Sequence, residues 1–521
     1  MNDKAAFTPP NPGLATLAIS LATFMQVLDT TIANVSLTTI AGNLGVSSDQ
    51  STWVITSFAV CNAISLPLTG WLARIVGQRR LFIVSVLLFS LASFLCGFSR
   101  SMTELVVFRA LQGFFAGPMY PMCQTLLLMI FPPSRRNMAL ALLAMVTVVG
   151  PIVGPITGGW ITDNYAWPWI FYINVPIGLF AAGVVMAQLR DWQDTTERAR
   201  VDYVGIGLLV LGVGLLQVVL DKGNDLDWFA STDIVTMSVI SAIALVSFVI
   251  WELGEREPLV NLRLFADRNF TIGTLSLMLG YAAFFAINVI LPQWLQTWMG
   301  YTSTWAGLAA APMGMLPMLL TPIIGRYGNR VDLRLLATLS FVIMGLSCLM
   351  RARFTIDVDF MTIAGVQLFM GIGVAFFFVP LTSILLSNLH DKDVAEGSGL
   401  STFLRVLGGG FASSLTTWIW SRREIYHHAV LSESVSVYNP AAVDYLNQMG
   451  GIGQTTLAQL DKTVQQQAWM ASTIDYFYLL GWGFMGLVVI IWFAKPPFTT
   501  AGPAAPGIRR YDRRCRFGGC V

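Results

Sequence analysis

The feature that most constrains this chain is the recurrence of apolar runs long enough to cross a bilayer. A hydrocarbon core about 30 Å thick takes roughly 20 residues of helix. Fourteen such runs, broken by charged or Gly/Pro-rich punctuation, fall at about 14–37, 52–73, 81–98, 105–129, 138–161, 169–188, 204–220, 234–251, 271–296, 305–326, 335–350, 362–387, 400–420 and 476–494. Inside lipid every backbone N–H and C=O must be satisfied within its own segment or a closed barrel, and runs of this length read as α-helices. The predicted fold class is an all-α integral membrane protein. Composition agrees: 12% of the 521 residues are charged and 55% hydrophobic, against about 25% charged in a soluble domain. One or two soluble cores could not hide that much apolar surface.

Several functions are excluded by what is scarce. A net charge of +2 argues against nucleic-acid binding, which needs a dense basic face. His390, His427 and His428 have no cysteine at ligand spacing, so no metal or Cys/His catalytic centre is expected. Cys61, Cys96, Cys123 and Cys348 fall in apolar runs and read as small core residues. None of Lys4, Lys222, Lys392, Lys462 and Lys495 follows a glycine, so the chain has no phosphate-cradling GxxxxGK[ST] loop and no direct ATP drive. The polar stretch 1–13 and the length of the first run read as a cytoplasmic N-terminus and a span, not as a cleaved signal peptide.

With the N-terminus in the cytoplasm, inside segments hold 22 of 31 Lys/Arg and outside segments seven, which places both termini inside by the positive-inside rule. An internal echo suggests duplication. Span 2 leads into Gly70-Trp-Leu-Ala-Arg74-Ile-Val-Gly77-Gln-Arg79-Arg80, and span 10 into Gly325-Arg326-Tyr-Gly328-Asn-Arg330-Val-Asp332-Leu-Arg334. The eight-span offset fits two six-helix bundles, 14–188 and 271–494, separated by linkers and two extra helices over 189–270, with a tail from 495 to 521. Two repeated bundles meeting at the midplane form a transporter architecture, with the substrate path between them. The Ser-, Gln- and Asn-rich segment 421–475 reads as an outside loop, either a partner-docking element or a solvated connector.

Asp29 is the one acid deep within a predicted span. A carboxylate there costs about 2.5–3.5 kcal/mol on insertion scales, so a functional role is the default reading; a helix-packing hydrogen bond is the alternative. Gln26 lies one turn before it on the same face. At about 1.5 Å per residue, Asp29 lies roughly 12 Å and Arg109 roughly 6 Å below the outer ends of spans 1 and 4, within reach of one arginine side chain. Arg109 is the natural partner, as a coupling group or as a structural counter-ion. Protonating Asp29 would change the charge of that pair and bias a two-state equilibrium. Arg405 lies close enough to the inner end of its span to snorkel. Span 5 carries Gly150, Gly154, Gly158 and Gly159, with Pro151 and Pro155 between, a pattern that permits close helix approach and bending. Span 9 offers Tyr281, Phe284, Phe285 and Asn288, then Gln293 and Gln296; this aromatic face suits bulky apolar ligands, or simply lipid and packing.

These motifs resemble the major facilitator superfamily, in particular its 14-span drug:proton antiporter branch of EmrB/EmrY-type multidrug exporters. Gly70 to Arg80 is similar to the superfamily's loop motif, and Arg109-Ala-Leu-Gln112-Gly113 to its proton-coupling motif. Gly150-Pro-Ile-Val-Gly154-Pro155-Ile-Thr-Gly158-Gly159 is similar to the antiporter motif. Leu28-Asp29-Thr30-Thr-Ile-Ala-Asn34-Val35 resembles the branch's span 1 signature. Trp169-Ile-Phe-Tyr-Ile-Asn174-Val-Pro176-Ile-Gly178, Leu220 to Phe229 and Trp492-Phe-Ala-Lys-Pro-Pro497-Phe resemble it in detail. Three departures stand out. Arg74 occupies the place of the loop motif's usual Asp, so the inter-bundle lock ascribed to that Asp cannot operate as usual; Thr38 replaces a proline; Ala141 replaces the antiporter motif's first glycine. After Phe498 the pattern ends, and the tail with Arg509, Arg510, Arg513, Arg514 and Arg516 is either a lipid-touching segment or a non-functional extension.

The resemblance implies a major facilitator fold and export of hydrophobic toxic compounds across a bacterial inner membrane in exchange for protons. Asp29 and Arg109 would couple the proton, and Gln26, Asn34, Gln112, Tyr281, Phe284, Asn288 and Gln293 would line the substrate path. It implies no cofactor, a periplasmic adaptor and an outer-membrane channel as partners, and no enzymatic activity. The rival readings are an importer or symporter of the same fold, against which the antiporter motif speaks, and a sensor or assembly protein without flux.

Overall fold

The computed structural model describes residues 9–498, except 133–134, 195, 197–200, 256–257, 328–330, 391–392, 434, 437, 449–450 and 452. The side chains of Val35, Thr38, Pro151 and Pro155, the residues Lys4, Arg198, Arg200, Arg256, Gly328, Arg330 and Lys392, and the arginine-rich tail lie outside the described residues. Among those described, every regular element is helical.

Each of the fourteen predicted runs falls on helix. The helices are α1 (Pro12–Val35), α2 (Trp53–Val76), α3 (Gln78–Phe98), α4 (Met102–Ile130, interrupted at Gly117-Pro118), α5 (Arg136–Asn164), α6 (Trp169–Gln188), α7 (Tyr203–Lys222) and α8 (Thr232–Gly254). They continue with α9 (Arg268–Thr297), α10 (Trp305–Arg326), α11 (Leu333–Arg351), α12 (Phe360–Leu386), α13 (Val394–Glu433) and α14 (Gln454–Ile491). Among the described residues, twelve of them are long and apolar enough to cross a membrane; α5 adds the apolar stretch Arg136–Gly150, and α13 is not among the twelve. In α13 the apolar run is diluted by glycines and polar residues, many of them packed against other helices rather than facing lipid.

The acids at span ends act as helix caps. Asp202 accepts from Val204 and Gly205 N–H, Asp267 from Phe270, Asp332 from Arg334 and Asp359 from Thr362, each supplying an acceptor that the first helical turn lacks. At the start of α11, the side-chain hydrogen bond from Arg334 holds the Asp332 carboxyl below the usual carboxylate range.

Helix contacts fall into two groups, α1–α6 and α9–α14. The groups meet where α2 packs on α13 and where α5 packs on α10 and α12; the second half of α4 also touches α13. The extra pair α7–α8 packs on itself, and α7 touches both α2 and α13, one from each group.

The segment 421–475 is largely helix rather than loop. The 40 residues of α13 span about 60 Å, twice the bilayer core of about 30 Å, and α14 is of similar length with 38. The projecting hairpin is tied by Arg423 and His427, which both hydrogen-bond Asp475, and by the Trp420 and Trp469 rings, 4.4 Å apart. Its Gln, Glu and Lys residues solvate a helix as readily as a coil, so polarity alone could not separate the two.

Candidate functional site

Asp29 is completely buried in the middle of α1. Its Oδ2 accepts from Arg109 Nη1 at 2.6 Å, and its Oδ1 accepts from Gln112 Nε2 at 2.9 Å and Asn174 Nδ2 at 2.8 Å. Arg109 is 1% exposed, donates from Nε to the Val54 carbonyl at 3.1 Å and from Nη1 to Gln112 Oε1 at 2.8 Å. Its Cζ lies 4.3 Å from the Phe58 ring centroid and 5.5 Å from that of Phe171. A second tier holds the amides: Asn174 also donates to Ser93 Oγ at 3.0 Å, Ser93 donates to the Phe171 carbonyl at 2.9 Å, and Cys96 Sγ donates to Gln112 Oε1 at 3.4 Å. One carboxylate thus joins α1 to α4 and α6, and its arginine joins α4 to α2. Removing one member of such a buried pair costs about 3–5 kcal/mol, because the other charge is left uncompensated in low dielectric.

Two polar atoms beside this cluster have no partner among the described residues: Asn174 Oδ1 and Gln26 Oε1. Gln26 is buried on α1 one turn from Asp29 without hydrogen-bonding to it, and Asn34 is exposed near the end of the helix.

The span 5 glycines face the helix that carries Asp29. A Cβ at Gly150 would overlap Val27, one at Gly154 would overlap Thr31, and one at Gly158 would meet Ile32. Those residues bracket Asp29, so the stripe sets how closely α5 approaches the segment of α1 that carries it. Gly159 follows on the same helix and is half-buried. The other end of α5 touches the second bundle: a Cβ at Gly325 of α10 would meet Asn137, Met138 and Ala141, and Ser383 Oγ of α12 donates to Asn137 Oδ1 at 3.0 Å. Ala141, the departure from the antiporter motif, lies in that bundle–bundle contact.

The loop motif is built into the same end. Gly77 has φ +92° and leaves no room for a Cβ against Asp194. Asp194 Oδ1 accepts from the Arg79 N–H at 3.0 Å, while the Arg79 guanidinium donates to the Met186 and Arg190 carbonyls at the end of α6. Arg80 lies 3.8 Å from Asp194. Arg74 crosses to the other bundle: its Nε is 3.2 Å from Glu396 Oε1, at the start of α13, and its Nη2 donates to the Pro258 carbonyl at 2.9 Å. Glu396 lies directly on Gly70, where any side chain would overlap it. The inter-bundle charge contact is therefore present with its signs reversed, the base on α2 and the acid on α13.

The aromatic face of α9 is a packed cluster. Tyr281 contacts Phe284, Phe285 and, across to α12, Phe378, at centroid distances of 6.1, 6.0 and 6.3 Å. Asn288 donates to the Phe284 carbonyl one turn back, at 2.8 Å, and Gln293 and Gln296 are exposed. Arg405 does not snorkel. It is 6% exposed, with Cζ 4.8 Å from the Tyr120 centroid on α4 and 4.9 Å from that of Tyr281.

Sequence reasoning assigned no role to Asn174, Ser93, Phe58, Tyr120 or Glu396, and read Cys96 only as a small core residue. Asn174 carried a usable signal, an amide inside an otherwise apolar run, but small polar residues within spans are cheap to bury and common at helix contacts. Glu396 preceded the expected start of its span and so read as a loop acid.

The sequence profile of the Major Facilitator Superfamily matches residues 19–413. The multidrug export protein EmrB of Escherichia coli (strain K12) is 48% identical over 493 residues, covering 94% of this chain and 96% of that one. The fatty acid resistance protein FarB of Neisseria gonorrhoeae is 46% identical over 501 residues, with 95% and 99% covered. Among solved structures, the proton:xylose symporter XylE superposes with a TM-score of 0.59 at 12% identity, over 92% of this chain and 95% of that one; at that identity the likeness concerns the fold alone. The profile match over residues 19–413, the near-complete relatives and the two-bundle helix arrangement together show that the chain belongs to the Major Facilitator Superfamily.

Proposed function

We propose that this chain exports hydrophobic toxic compounds across the bacterial inner membrane by alternating access, driven by inward proton movement, with both termini cytoplasmic. The observation that carries the reading is the buried Asp29–Arg109 pair within membrane-spanning helices, together with relatives named for multidrug export. A 100 mV potential supplies about 2.3 kcal/mol per charge moved, roughly a fiftyfold gradient of an uncharged compound for one proton per cycle. Partnership with a periplasmic adaptor and an outer-membrane channel, and the fourteen-span count, belong to the same proposal.

Asp29 is the proton site in this reading. Protonation turns an acceptor of three hydrogen bonds into a donor, and the spare acceptors Gln26 Oε1 and Asn174 Oδ1 beside it suit that new O–H. Arg109 then loses its counter-charge, and the ties among α1, α2, α4 and α6 rearrange together. Because α5 rides on α1 through Gly150, Gly154 and Gly158 and touches α10 and α12 at its other end, a shift of α1 reaches the bundle interface. The test is drug uptake into inverted vesicles under an imposed proton gradient. Gradient-dependent uptake is expected for wild type and is lost in Asp29→Asn; absence of the first sinks the transport reading, and survival of uptake in the variant sinks the proton site.

A further inference from the structure

Three arginines within membrane-spanning helices are buried, and their surroundings differ in kind. Arg109 has the Asp29 carboxylate. Arg351 has neutral acceptors, Ser347 Oγ at 3.1 Å and the Gln367 amide oxygen, with the Phe477 ring 5.8 Å away. Arg405 has neither: among the described residues its guanidinium forms no ion pair and no hydrogen bond, and its contacts are the faces of Tyr120 and Tyr281. Two cation–π contacts contribute about 0.5–2 kcal/mol each, less than the several kcal/mol that desolvating a cation costs. The five N–H donors of its fixed planar fork have no protein acceptor among the described residues.

The position matters as much as the chemistry. Tyr120 belongs to the first bundle, and Arg405 and Tyr281 to the second, so the guanidinium sits between the bundles, where a major facilitator substrate would pass. Phe284, Phe285 and Phe378 extend the apolar surface from Tyr281. We propose that Arg405 is an anion-recognition point on the substrate path, selecting lipophilic compounds that carry a planar carboxylate beside an aromatic or alkyl body. The carboxylate takes the N–H fork, in the bidentate geometry that guanidinium favours, while the body lies on the Tyr281–Phe285 face. This assignment rests on the export reading but is tested by binding, so that either can fail alone.

The experiment uses the full chain in nanodiscs of neutral phosphatidylcholine at about pH 7.5, where carboxylates are ionised. Binding of 1-naphthoate, 1-naphthamide and 1-naphthylmethylammonium, which share one ring system and differ in head-group charge, is measured by isothermal titration. Wild type is expected to bind naphthoate roughly tenfold or more tighter than naphthamide, and the ammonium weakest, because a charge-assisted fork replaces an unpaired one. In Arg405→Gln the naphthoate-to-naphthamide ratio falls toward one. Arg405→Lys, which keeps the charge without the fork, gives an intermediate ratio and serves should the glutamine variant not fold. A ratio near one in wild type, no naphthoate binding, an unchanged ratio in both variants, or displacement of naphthoate by added phosphatidylglycerol, which would assign the site to lipid, each overturns the proposal.

Discussion

The reversed charge contact at the loop-motif end offers a quantitative test. Arg74 and Glu396 lie on helices of opposite bundles, so their attraction counts only while those ends are together. At the 3.2 Å separation and an effective dielectric of about 20, the gross attraction is roughly 5 kcal/mol. Arg74 is 30% exposed against 8% for Glu396, so water is available to it as a partner once the ends separate. Solvent screening and that alternative leave a net coupling of about 1–2 kcal/mol, or roughly a 5- to 30-fold bias in the equilibrium between joined and separated ends. The assay is double electron–electron resonance between labelled unnatural residues at Val84 and Leu335, both exposed near the starts of α3 and α11. Arg74→Gln and Glu396→Gln should each shift the distance distribution toward separation by that factor, and the double variant no further than either single. Arg74→Glu, which sets two acids together, should shift it more, and Arg74→Glu combined with Glu396→Lys should recover most of the joined population. Strictly additive single effects, or unshifted distributions, would refute the reasoning.

Other expectations follow from the same geometry. Asp29→Asn strands Arg109 and should cost about 3–5 kcal/mol of stability, whereas Asp29→Asn with Arg109→Met should regain much of the thermal midpoint without regaining gradient-driven uptake, a separation that vesicle transport and scanning fluorimetry measure together. Asn174→Ala removes a donor from Asp29 and from Ser93 and should cost about 1–3 kcal/mol; Asn174→Leu should be no milder, since its bulk supplies no donor, and both are read by thermal unfolding. Gly154→Ala places a methyl group into Thr31 and should cost about 1–3 kcal/mol while slowing uptake, and Thr31→Ala in the same chain should restore part of both.

The places where sequence reading succeeded and failed share a physical cause. Hydropathy assumes that each helix meets lipid, and the helices that mostly do, such as α8 with Ile243, Val246 and Ile250 exposed, are legible within a few residues. Helices that meet other helices violate the assumption. At the start of α13, Glu396, Ser398 and Ser401 are buried between bundles, so a hydropathy scan begins the span late and discards the acid. The Asp29–Arg109 pairing was legible because charges in lipid are rare enough for two at similar depth to imply each other. The identity of their amide and thiol neighbours was not, since Ser93, Cys96 and Asn174 each look like ordinary small or polar span residues until α3, α4 and α6 are brought around α1. Arg405 failed for the converse reason. Depth along the helix permits snorkelling, and only the approach of Tyr120 from the other bundle closes that route.

The three charge contacts divide the proposed cycle between them. Asp29 and Arg109 both belong to the first bundle, so rocking of the bundles need not separate them, and their pairing cannot by itself favour one orientation. Arg74–Glu396 and Arg405–Tyr120 cross the interface and must be remade whenever the bundles move. In the proposed cycle the proton therefore acts on the interface at one remove, and α5 is the element that touches both ends of that path: Thr31 and Ile32 beside Asp29 at Gly154 and Gly158, and Gly325 and Ser383 of the second bundle at Asn137 to Ala141. An anion arriving at Arg405 acts there directly, by offering its guanidinium a better partner than the two rings. On this reasoning proton and substrate need not compete for one residue; each changes the balance of a different contact across the same interface.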